Sequence, residues 1–276
     1  MIAADRSRPV YLKLGGALLT DKKTRETHRP DVLARLAGEI ADWAQSSDRP
    51  LVLAHGSGSF AHMAVRDTGF LTRPDSAVAL ASVAAAARRL SSLVVESLLA
   101  AGLPALPVPG SLLAECRDGQ VDAVRADIVS GALRARLVPV LYGDAAPDTV
   151  RGGCIASTEP LFVALARVIP PSRVVLATDV DGVYASDPRS SPGQVPIARL
   201  EASDALRDYA PAHASDRAVD FTGGMGSKVR LMAELAESTP GCEVRILSGL
   251  RPGAIGKALD GSPEAGGTVI QSGAPG

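Results

Sequence analysis

The chain has 276 residues, of which 46% are hydrophobic and 21% are charged, and its formal net charge is −1. This balance is typical of a soluble globular protein and excludes a disordered chain, while the length suits one large α/β domain or two lobes. The lack of an excess of lysine and arginine argues against a nucleic-acid partner, so an anionic ligand would have to be met by a few placed cations.

Three features of the sequence bear on the compartment. Cys116, Cys154 and Cys242 are widely separated and form no C-x-x-C or metal-binding motif, which indicates buried thiols in a reducing compartment. The first residues contain no apolar core of a signal peptide. The most apolar stretch, from Ser76 to Ala101, contains three charged residues, so we expect no membrane span. The sequence therefore predicts a cytoplasmic protein.

The first predicted element is a buried strand from Val10 to Leu14 that runs directly into Gly15-Gly16, with Lys13 shortly before the turn. Glycine lets backbone N–H groups approach an anion without a Cβ in the way, and an ammonium group supplies the opposite charge. The segment is a candidate floor for a nucleotide phosphate site, although the same pattern also occurs in plain turns with a solvated lysine.

A helix and a second strand follow, and together they predict a parallel sheet. Pro30-Asp31 begins a helix whose apolar residues have helical spacing. Leu51 to Ala54 is a continuous apolar run, typical of a strand that is covered on both faces. The resulting βαβ unit favours an α/β fold.

The second strand ends in the glycine-rich loop from His55 to His62, at the edge of the sheet where α/β proteins bind ligands. The loop fits the G-x-G-x-x-A dinucleotide fingerprint, but that site needs a carboxylate after the next strand, which ends in Val108-Pro109-Gly110. A concavity of backbone N–H groups for a substrate phosphate is the simpler interpretation. His62 is then either a donor into that concavity or a structural histidine.

The rest of the chain shows no internal repeat and adds two polar turns. Gly143-Asp144 follows a buried strand, and the glycine turn from Thr222 to Lys228 opens a helix, whose N-terminus favours anions. Strict P-loop and zinc-protease motifs are absent from the sequence.

The other predicted elements are a helix from Asp75 to Ala101, a strand from Ala105 to Val108, a hairpin at Asp118-Gly119, a helix from Ile128 to Leu137, a strand from Val138 to Tyr142, a hairpin from Ala145 to Ile155, a helix after Ser157, a strand from Arg173 to Ala177, a helix from Leu200 to Tyr209, and strands from Glu243 to Leu247 and Gly267 to Ile270.

Taken in order, these segments resemble the motifs of the amino acid kinase superfamily, and within it most resemble those of the isopentenyl phosphate kinases. The resemblance runs from residue 9 to residue 270. It rests on Lys13 to Gly16, Thr20 to Lys22, His55 to His62, Gly143-Asp144, Thr178 to Tyr184 with Asp187-Pro188, and Thr222 to Met225 with Lys228.

The resemblance implies both a fold and a reaction. The fold is an open αβα sandwich with a mainly parallel central sheet, one continuous domain with a substrate lobe over residues 1–170 and a nucleotide lobe over residues 171–276. The reaction is transfer of the γ-phosphoryl group of ATP, with Mg²⁺, to a small alkyl phosphate monoester, with isopentenyl phosphate giving isopentenyl diphosphate. Members of the superfamily are often dimers, so a homodimer is implied too.

The resemblance also implies roles for the matching residues. Lys13, Lys22, His62 and Glu159 would be catalytic, and the substrate phosphate would lie on Gly56, Ser57 and Gly58 with His62 donating to it. No protein ligand to a metal is implied. The residues that would bind the nucleotide are Lys13, Gly15, Gly16, Asp179, Gly182, Tyr184, Met225 and Lys228.

The sequence departs from the superfamily pattern at three positions. Ser57 and Ala61 replace two glycines of the phosphate loop, and Glu159 replaces the aspartate that organises the catalytic lysines, which keeps the charge on a longer arm. Alanines at 81 and 84–87 would leave room for a branched apolar tail, or would let two helices approach closely. The alternatives are a fosfomycin-type phosphonate kinase and a catalytically silent sensor of phosphate or nucleotide.

Overall fold

A computed structural model describes residues 7–186, 193–208 and 224–273, and so Asp187-Pro188 and Thr222-Gly223 lie outside the described residues. The strands are β1 (Val10–Leu14), β2 (Leu51–His55), β3 (Ala105–Pro109), β4 (Ala114–Arg117), β5 (Gln120–Val124), β6 (Val138–Tyr142), β7 (Asp144–Asp148), β8 (Gly152–Ala156), β9 (Arg173–Thr178), β10 (Arg199–Glu201), β11 (Glu243–Ser248) and β12 (Thr268–Gln271). The helices are α1 (Gly16–Leu19), α2 (Pro30–Ser46), α3 (Gly58–Thr68), α4 (Ala77–Ala100), α5 (Gly110–Leu113), α6 (Ala126–Arg134), α7 (Thr158–Ala166), α8 (Ala202–Asp208), α9 (Gly224–Ser238) and α10 (Ala254–Asp260).

An eight-stranded sheet in the order β10-β12-β11-β9-β1-β2-β6-β3 runs through the fold. Its strands pair in parallel except for β11 with β12. β1 lies between β2 and β9, and every residue of β1, β2 and β6 is buried. Strands that are covered on both faces are nearly continuous apolar runs, which is why these could be identified from the sequence. The predicted α/β fold with a mainly parallel sheet is confirmed.

Side chains alternate between the two faces of the sheet along each strand. Both faces of this sheet are apolar, and helices cover both of them. Val10, Leu12 and Leu14 of β1 belong to one core cluster with residues of α2, α4 and α10. Tyr11 points into the other cluster, with residues of α7, α8 and α9. There its ring lies 4.9 Å from the ring of Phe162. The central sheet is therefore the middle layer of three.

A second sheet, in the order β5-β4-β7-β8, contains both predicted hairpins. All three cysteines are buried, as the sequence indicated. Cys116 of β4 and Cys154 of β8 lie in one small cluster with Ala146 and Ala156, although they are far apart in the sequence. Strand pairing, which the spacing of cysteines does not reveal, accounts for their proximity.

α4 is long and apolar enough, by length and composition alone, to cross a membrane, a test that a core helix of a soluble protein also passes. Leu90, Val94 and Leu98 on this helix are fully buried. They belong to the core cluster that α4 shares with α2 and the central strands. The apolar composition of α4 is thus accounted for by packing against the sheet.

α3 is the main difference from the sequence prediction, which treated residues 55–62 as a loop. The loop ends at Ser57, and a helix begins at Gly58. Glycine and serine residues obscured an apolar stripe at helical spacing, formed by Ala61, Ala64 and Val65. α10 was not predicted either, and the ends of α4, α6 and α8 differ by a few residues from the predicted ends.

The carboxyl ends of the central strands lie side by side. Leu14 pairs with His55 on one side and with Ala177 on the other. His55 pairs in turn with Tyr142, and Ala177 pairs with Leu247. The turns that follow these strands therefore lie along a single edge of the sheet, where the candidate site is found.

Candidate active site

The two glycine turns at this edge touch each other through their backbones. A methyl group on Gly16 would lie 2.7 Å from the Cα atom of Gly58, and one on Gly56 would lie 2.8 Å from the nitrogen of Gly16. These distances are shorter than side-chain carbons tolerate, so glycine is required on both sides of the contact. Gly58 also has a φ of +49°, in the left-handed region that favours glycine.

The backbone hydrogen bonds of the turns show which N–H groups are available to an anion. The N–H of Gly15 donates to the carbonyl of Ala177 at 2.8 Å, and the N–H of Gly56 donates to the carbonyl of Leu14 at 2.9 Å. Both N–H groups therefore extend the hydrogen bonding of the sheet, and the expected roles of Gly15 and Gly56 at the phosphates stay predictions. Within the described residues, the N–H groups of Gly16, Ser57 and Gly58 have no partner.

Thr20 joins the two turns, a role that the sequence analysis did not assign. Its hydroxyl donates to the carbonyl of Gly16 at 2.8 Å and accepts from the N–H of Ser59 at 3.0 Å. Thr20 is fully buried. Its place in the Thr20-to-Lys22 segment was the only sign of importance in the sequence, and nothing there indicated a partner 39 residues away.

Lys13 and Glu159 form a buried ion pair below the turns. Lys13 lies on β1, whereas Glu159 lies in the first turn of α7. Burial raises the pKa of Glu159, but the ammonium groups of Lys13 and Lys228 outweigh it and bring the pKa to about 2. Glu159 is therefore ionised, and two of the predicted lysines stabilise its charge. Although glutamate replaces the aspartate of the superfamily pattern, its carboxylate pairs with Lys13.

Lys22 and Asp179 meet across the site from opposite halves of the chain. The Lys22 ammonium lies 3.8 Å from the Asp179 carboxylate, and their side chains are 65% and 40% exposed. Such an exposed pair adds little stability. Its significance is that an exposed cation from the first half of the chain lies beside the polar segment that follows β9.

The Gly143-Asp144 segment follows the neighbouring strand β6 and supports the turn between β2 and α3. The Ser57 hydroxyl donates to the carbonyl of Gly143, so this side chain holds the loop in place. Asp144 is buried and accepts hydrogen bonds from Ser111 and from the N–H of Ala145. Burial raises the pKa of Asp144 in spite of these hydrogen bonds.

The remaining predicted residues lie on both sides of the turns. His62 is a partly exposed residue of α3, five residues after Ser57. Gly182 is packed against β12, since a methyl group there would lie 2.8 Å from the Thr268 hydroxyl. Tyr184 is partly buried near the end of that segment.

Two more predicted residues belong to α9. Met225 is part of its first turn and packs against the core cluster that contains α7. One turn later, Lys228 lies 3.3 Å from the carbonyl of Gly224. α9 packs against α7, the helix that carries Glu159, and Lys228 lowers the pKa of Glu159.

Substituting Gly16 tests the contact between the turns. We expect Gly16→Ala to abolish high-affinity binding of phosphate-bearing ligands, because the added methyl group meets backbone atoms that cannot rotate away. Gly38→Ala in α2 is the matched control, since a methyl group there meets nothing within 4 Å and should stabilise the helix by up to about 1 kcal/mol. Calorimetric titration with ATP and thermal unfolding measure the two effects, and unchanged affinity in Gly16→Ala would contradict this geometry.

Substituting Glu159 tests the buried pair. Glu159→Gln removes the carboxylate that pairs with the buried Lys13 ammonium, which should lower the free energy of unfolding at pH 7 by about 3–5 kcal/mol. Because folding lowers the pKa of Glu159 from 4.5 to about 2, its contribution is complete above pH 4.5 and is lost as the pH falls toward 2. The difference between wild type and variant in denaturant unfolding should therefore shrink over that range. Exposed Glu96→Gln, the control, should stay within about 0.5 kcal/mol at both ends of the range.

Known proteins are similar to this chain over nearly its whole length. The model of the amino acid kinase family matches residues 10–248. Isopentenyl phosphate kinase of Methanothermobacter thermautotrophicus is 33% identical over 275 residues, covering 95% of this chain and 98% of that enzyme. The isopentenyl phosphate kinase of Haloferax volcanii is 35% identical over 227 residues, covering 82% of this chain and 88% of that enzyme.

A solved structure agrees with the sequence matches. An X-ray structure of isopentenyl phosphate kinase has a TM-score of 0.78 to this fold at 29% identity, with 95% of this chain and 99% of that chain covered. The resemblance drawn from the ordered motifs is confirmed. This chain belongs to the amino acid kinase family, and its sequence and fold group it with the isopentenyl phosphate kinases of that family.

Proposed function

We propose that this protein is an ATP-dependent kinase that converts isopentenyl phosphate to isopentenyl diphosphate. The observation that carries the proposal is the contact between the two glycine turns, which brings together the N–H groups of Gly16, Ser57 and Gly58, none of which has a partner in the part of the chain that the structure describes. Two anionic groups bound on either side of that contact would be adjacent. Such adjacency is what phosphoryl transfer from one phosphate to another requires.

The chemistry asks for little proton transfer. The second pKa of a phosphate monoester is roughly 6, so the attacking oxygen is mostly ionised at neutral pH. That oxygen forms a bond to the γ-phosphorus of ATP while the bond from the γ-phosphorus to the bridging oxygen of ADP breaks. Catalysis then depends on positioning and on neutralising the charge of the transferred group.

The proposed roles follow the positions of the residues. The N–H groups of Ser57 and Gly58, at the N-terminus of α3, would bind the acceptor phosphate, with His62 donating a hydrogen bond to it. Gly16 would donate its N–H to the transferred group. Lys13 and Lys22 would neutralise the charge that develops on the transferred group, Lys13 from a fixed position and Lys22 from an exposed one.

We place the nucleotide over the second half of the chain, with Mg²⁺ bound to its phosphates. Within the described residues, no group of three or more histidine, cysteine, aspartate or glutamate side chains could hold a metal ion. Mg²⁺ at such sites is commonly held by substrate phosphates, waters and at most one or two carboxylates. The proposed nucleotide contacts are Lys13, Gly16, Asp179, Gly182, Tyr184, Met225 and Lys228, with Gly15 shaping the turn.

We further propose a cytoplasmic homodimer without nucleic-acid or membrane partners, with substrate and nucleotide lobes over residues 1–170 and 171–276. The near-neutral charge and the family resemblance support these points. Analytical ultracentrifugation of the purified protein tests the dimer directly.

Turnover assays test the proposed reaction. With Mg-ATP, we expect ADP release and formation of isopentenyl diphosphate from isopentenyl phosphate, and no comparable turnover of fosfomycin. Turnover of fosfomycin alone would favour a phosphonate kinase. Binding of both ligands without any ADP release would favour a silent sensor and contradict the kinase proposal.

Removing His62 tests the acceptor site. His62→Ala should lower kcat/KM for isopentenyl phosphate by about 10- to 100-fold, the effect of losing a hydrogen bond to a charged group. Arg66→Ala is the control, because it removes an exposed cation from the same helix one turn later. Wild-type rates in the His62 variant would mean that this histidine is structural.

A further inference from the structure

His55 lies at the end of β2, directly before the phosphate loop, and is fully buried. Its ring stacks on that of Tyr142 in the neighbouring strand, with centroids 5.6 Å apart and planes inclined by 13°. Neither the sequence analysis nor the roles proposed above assign anything to this side chain. A buried polar ring at the edge of a candidate active site calls for an explanation.

The imidazole makes one polar contact among the described residues, and that contact is to the phosphate loop. Nδ1 of His55 lies 3.2 Å from the carbonyl oxygen of Gly56. A carbonyl oxygen can only accept, so Nδ1 carries the proton and Nε2 does not. Nε2 is buried without a partner in the described part of the chain. An apolar ring would fill the same space without leaving an unpaired nitrogen, so the hydrogen bond to Gly56 is what histidine adds.

This hydrogen bond adds a second polar restraint on Gly56. The N–H of Gly56 is held by the carbonyl of Leu14, and its carbonyl is held by His55. In a trans peptide the carbonyl of one residue and the N–H of the next point in opposite directions, and the described residues contain no cis peptide bond. Fixing the carbonyl of Gly56 therefore fixes the direction of the Ser57 N–H, which has no partner among the described residues.

We propose that His55 is a positioning residue for the acceptor phosphate. By holding the Gly56 carbonyl, it directs the Ser57 N–H toward the position of that phosphate. The inference rests on the proposed function, since it concerns the same phosphate site. His55 acts through the Gly56–Ser57 peptide and does not itself touch the substrate.

The surroundings of His55 keep it in the form that the role requires. Burial, with a smaller contribution from the Lys13 ammonium, lowers the pKa of His55 to about 4, although the hydrogen bond to Gly56 acts in the opposite direction. The ring is thus neutral at physiological pH, with one N–H to donate. It adds no second positive charge beside Lys13.

Two variants separate the hydrogen bond from the packing. His55→Phe keeps an aromatic ring for Tyr142 but removes the donor, whereas His55→Asn keeps an amide N–H near the position of Nδ1 and removes the ring. We expect His55→Phe to raise KM for isopentenyl phosphate about tenfold with KM for ATP unchanged, the effect of losing one hydrogen bond. His55→Asn should remain within about threefold of wild type even if it is less stable.

A purely structural role gives a different result. Partial unfolding lowers the active fraction and hence the apparent kcat, and leaves both KM values where they were. Equal KM values for the acceptor in wild type and His55→Phe, or a larger acceptor defect in His55→Asn than in His55→Phe, would overturn the proposal. Nitrogen NMR of the wild-type protein should show His55 as the neutral tautomer protonated at Nδ1, and protonation at Nε2 instead would also overturn it.

Binding of inorganic phosphate distinguishes failure of this inference from failure of the proposed function. Calorimetric titration of the intact protein should show weaker phosphate binding in His55→Phe than in His55→Asn or wild type. If the wild type turns over no phosphate acceptor, the kinase proposal fails, and this comparison still decides the role of His55. Identical phosphate affinities in the three proteins, or no phosphate binding by the wild type, would refute the positioning role.

Discussion

A backbone contact between two glycine turns is the constraint on which the candidate site depends. Gly16 begins the short helix α1 after one central strand, Gly58 begins the helix that follows the next strand, and their main-chain atoms are too close for any side chain. The sheet brings the turns to one edge, and Thr20 and Ser57 hold them there through hydrogen bonds to Gly16, Ser59 and Gly143. The spacing of the two strands thus sets the distance between the backbone N–H donors of the two turns, and rotation of side chains cannot change that distance.

Charge in the site follows from the same geometry. An ammonium group buried beneath the turns would be costly alone, and Glu159 compensates it from the start of α7. Lys228 of α9 also lowers the pKa of the same carboxylate, so side chains from three elements in distant parts of the chain interact electrostatically. Lys22, by contrast, lies at the surface opposite Asp179. The candidate site therefore combines a buried cation, Lys13, with an exposed one, Lys22.

The central strands and the location of the site could be predicted from the sequence because their signals are local. Continuous apolar runs marked β1, β2, β6 and β9, and glycines after two of them marked the site. Interactions between distant residues could not be predicted in this way. The sequence around Gly15 does not show that its N–H donates to the carbonyl of Ala177, and the sequence around Thr20 does not show that its hydroxyl accepts from the N–H of Ser59.

Two further positions show how local interpretation fails at glycine-rich segments. The helix α3 was hidden because its first residues have turn-like composition, while its apolar stripe begins only at Ala61. Ala61, which replaces a glycine of the superfamily pattern, lies inside the helix, where alanine is the most favourable residue. His55 was noted only as a neighbour of the loop, since its contact to Gly56 depends on backbone direction.

The place of β1 in the sheet also determines how such a molecule can move. β1 pairs with β2 over five residues and with β9 over five residues, so the two halves of the chain share one uninterrupted hydrogen-bonded ladder. A hinge between them would have to break that ladder along its buried centre. The central strands therefore form a rigid frame, and the segments outside the sheet are the parts of the fold that can move at the lowest cost.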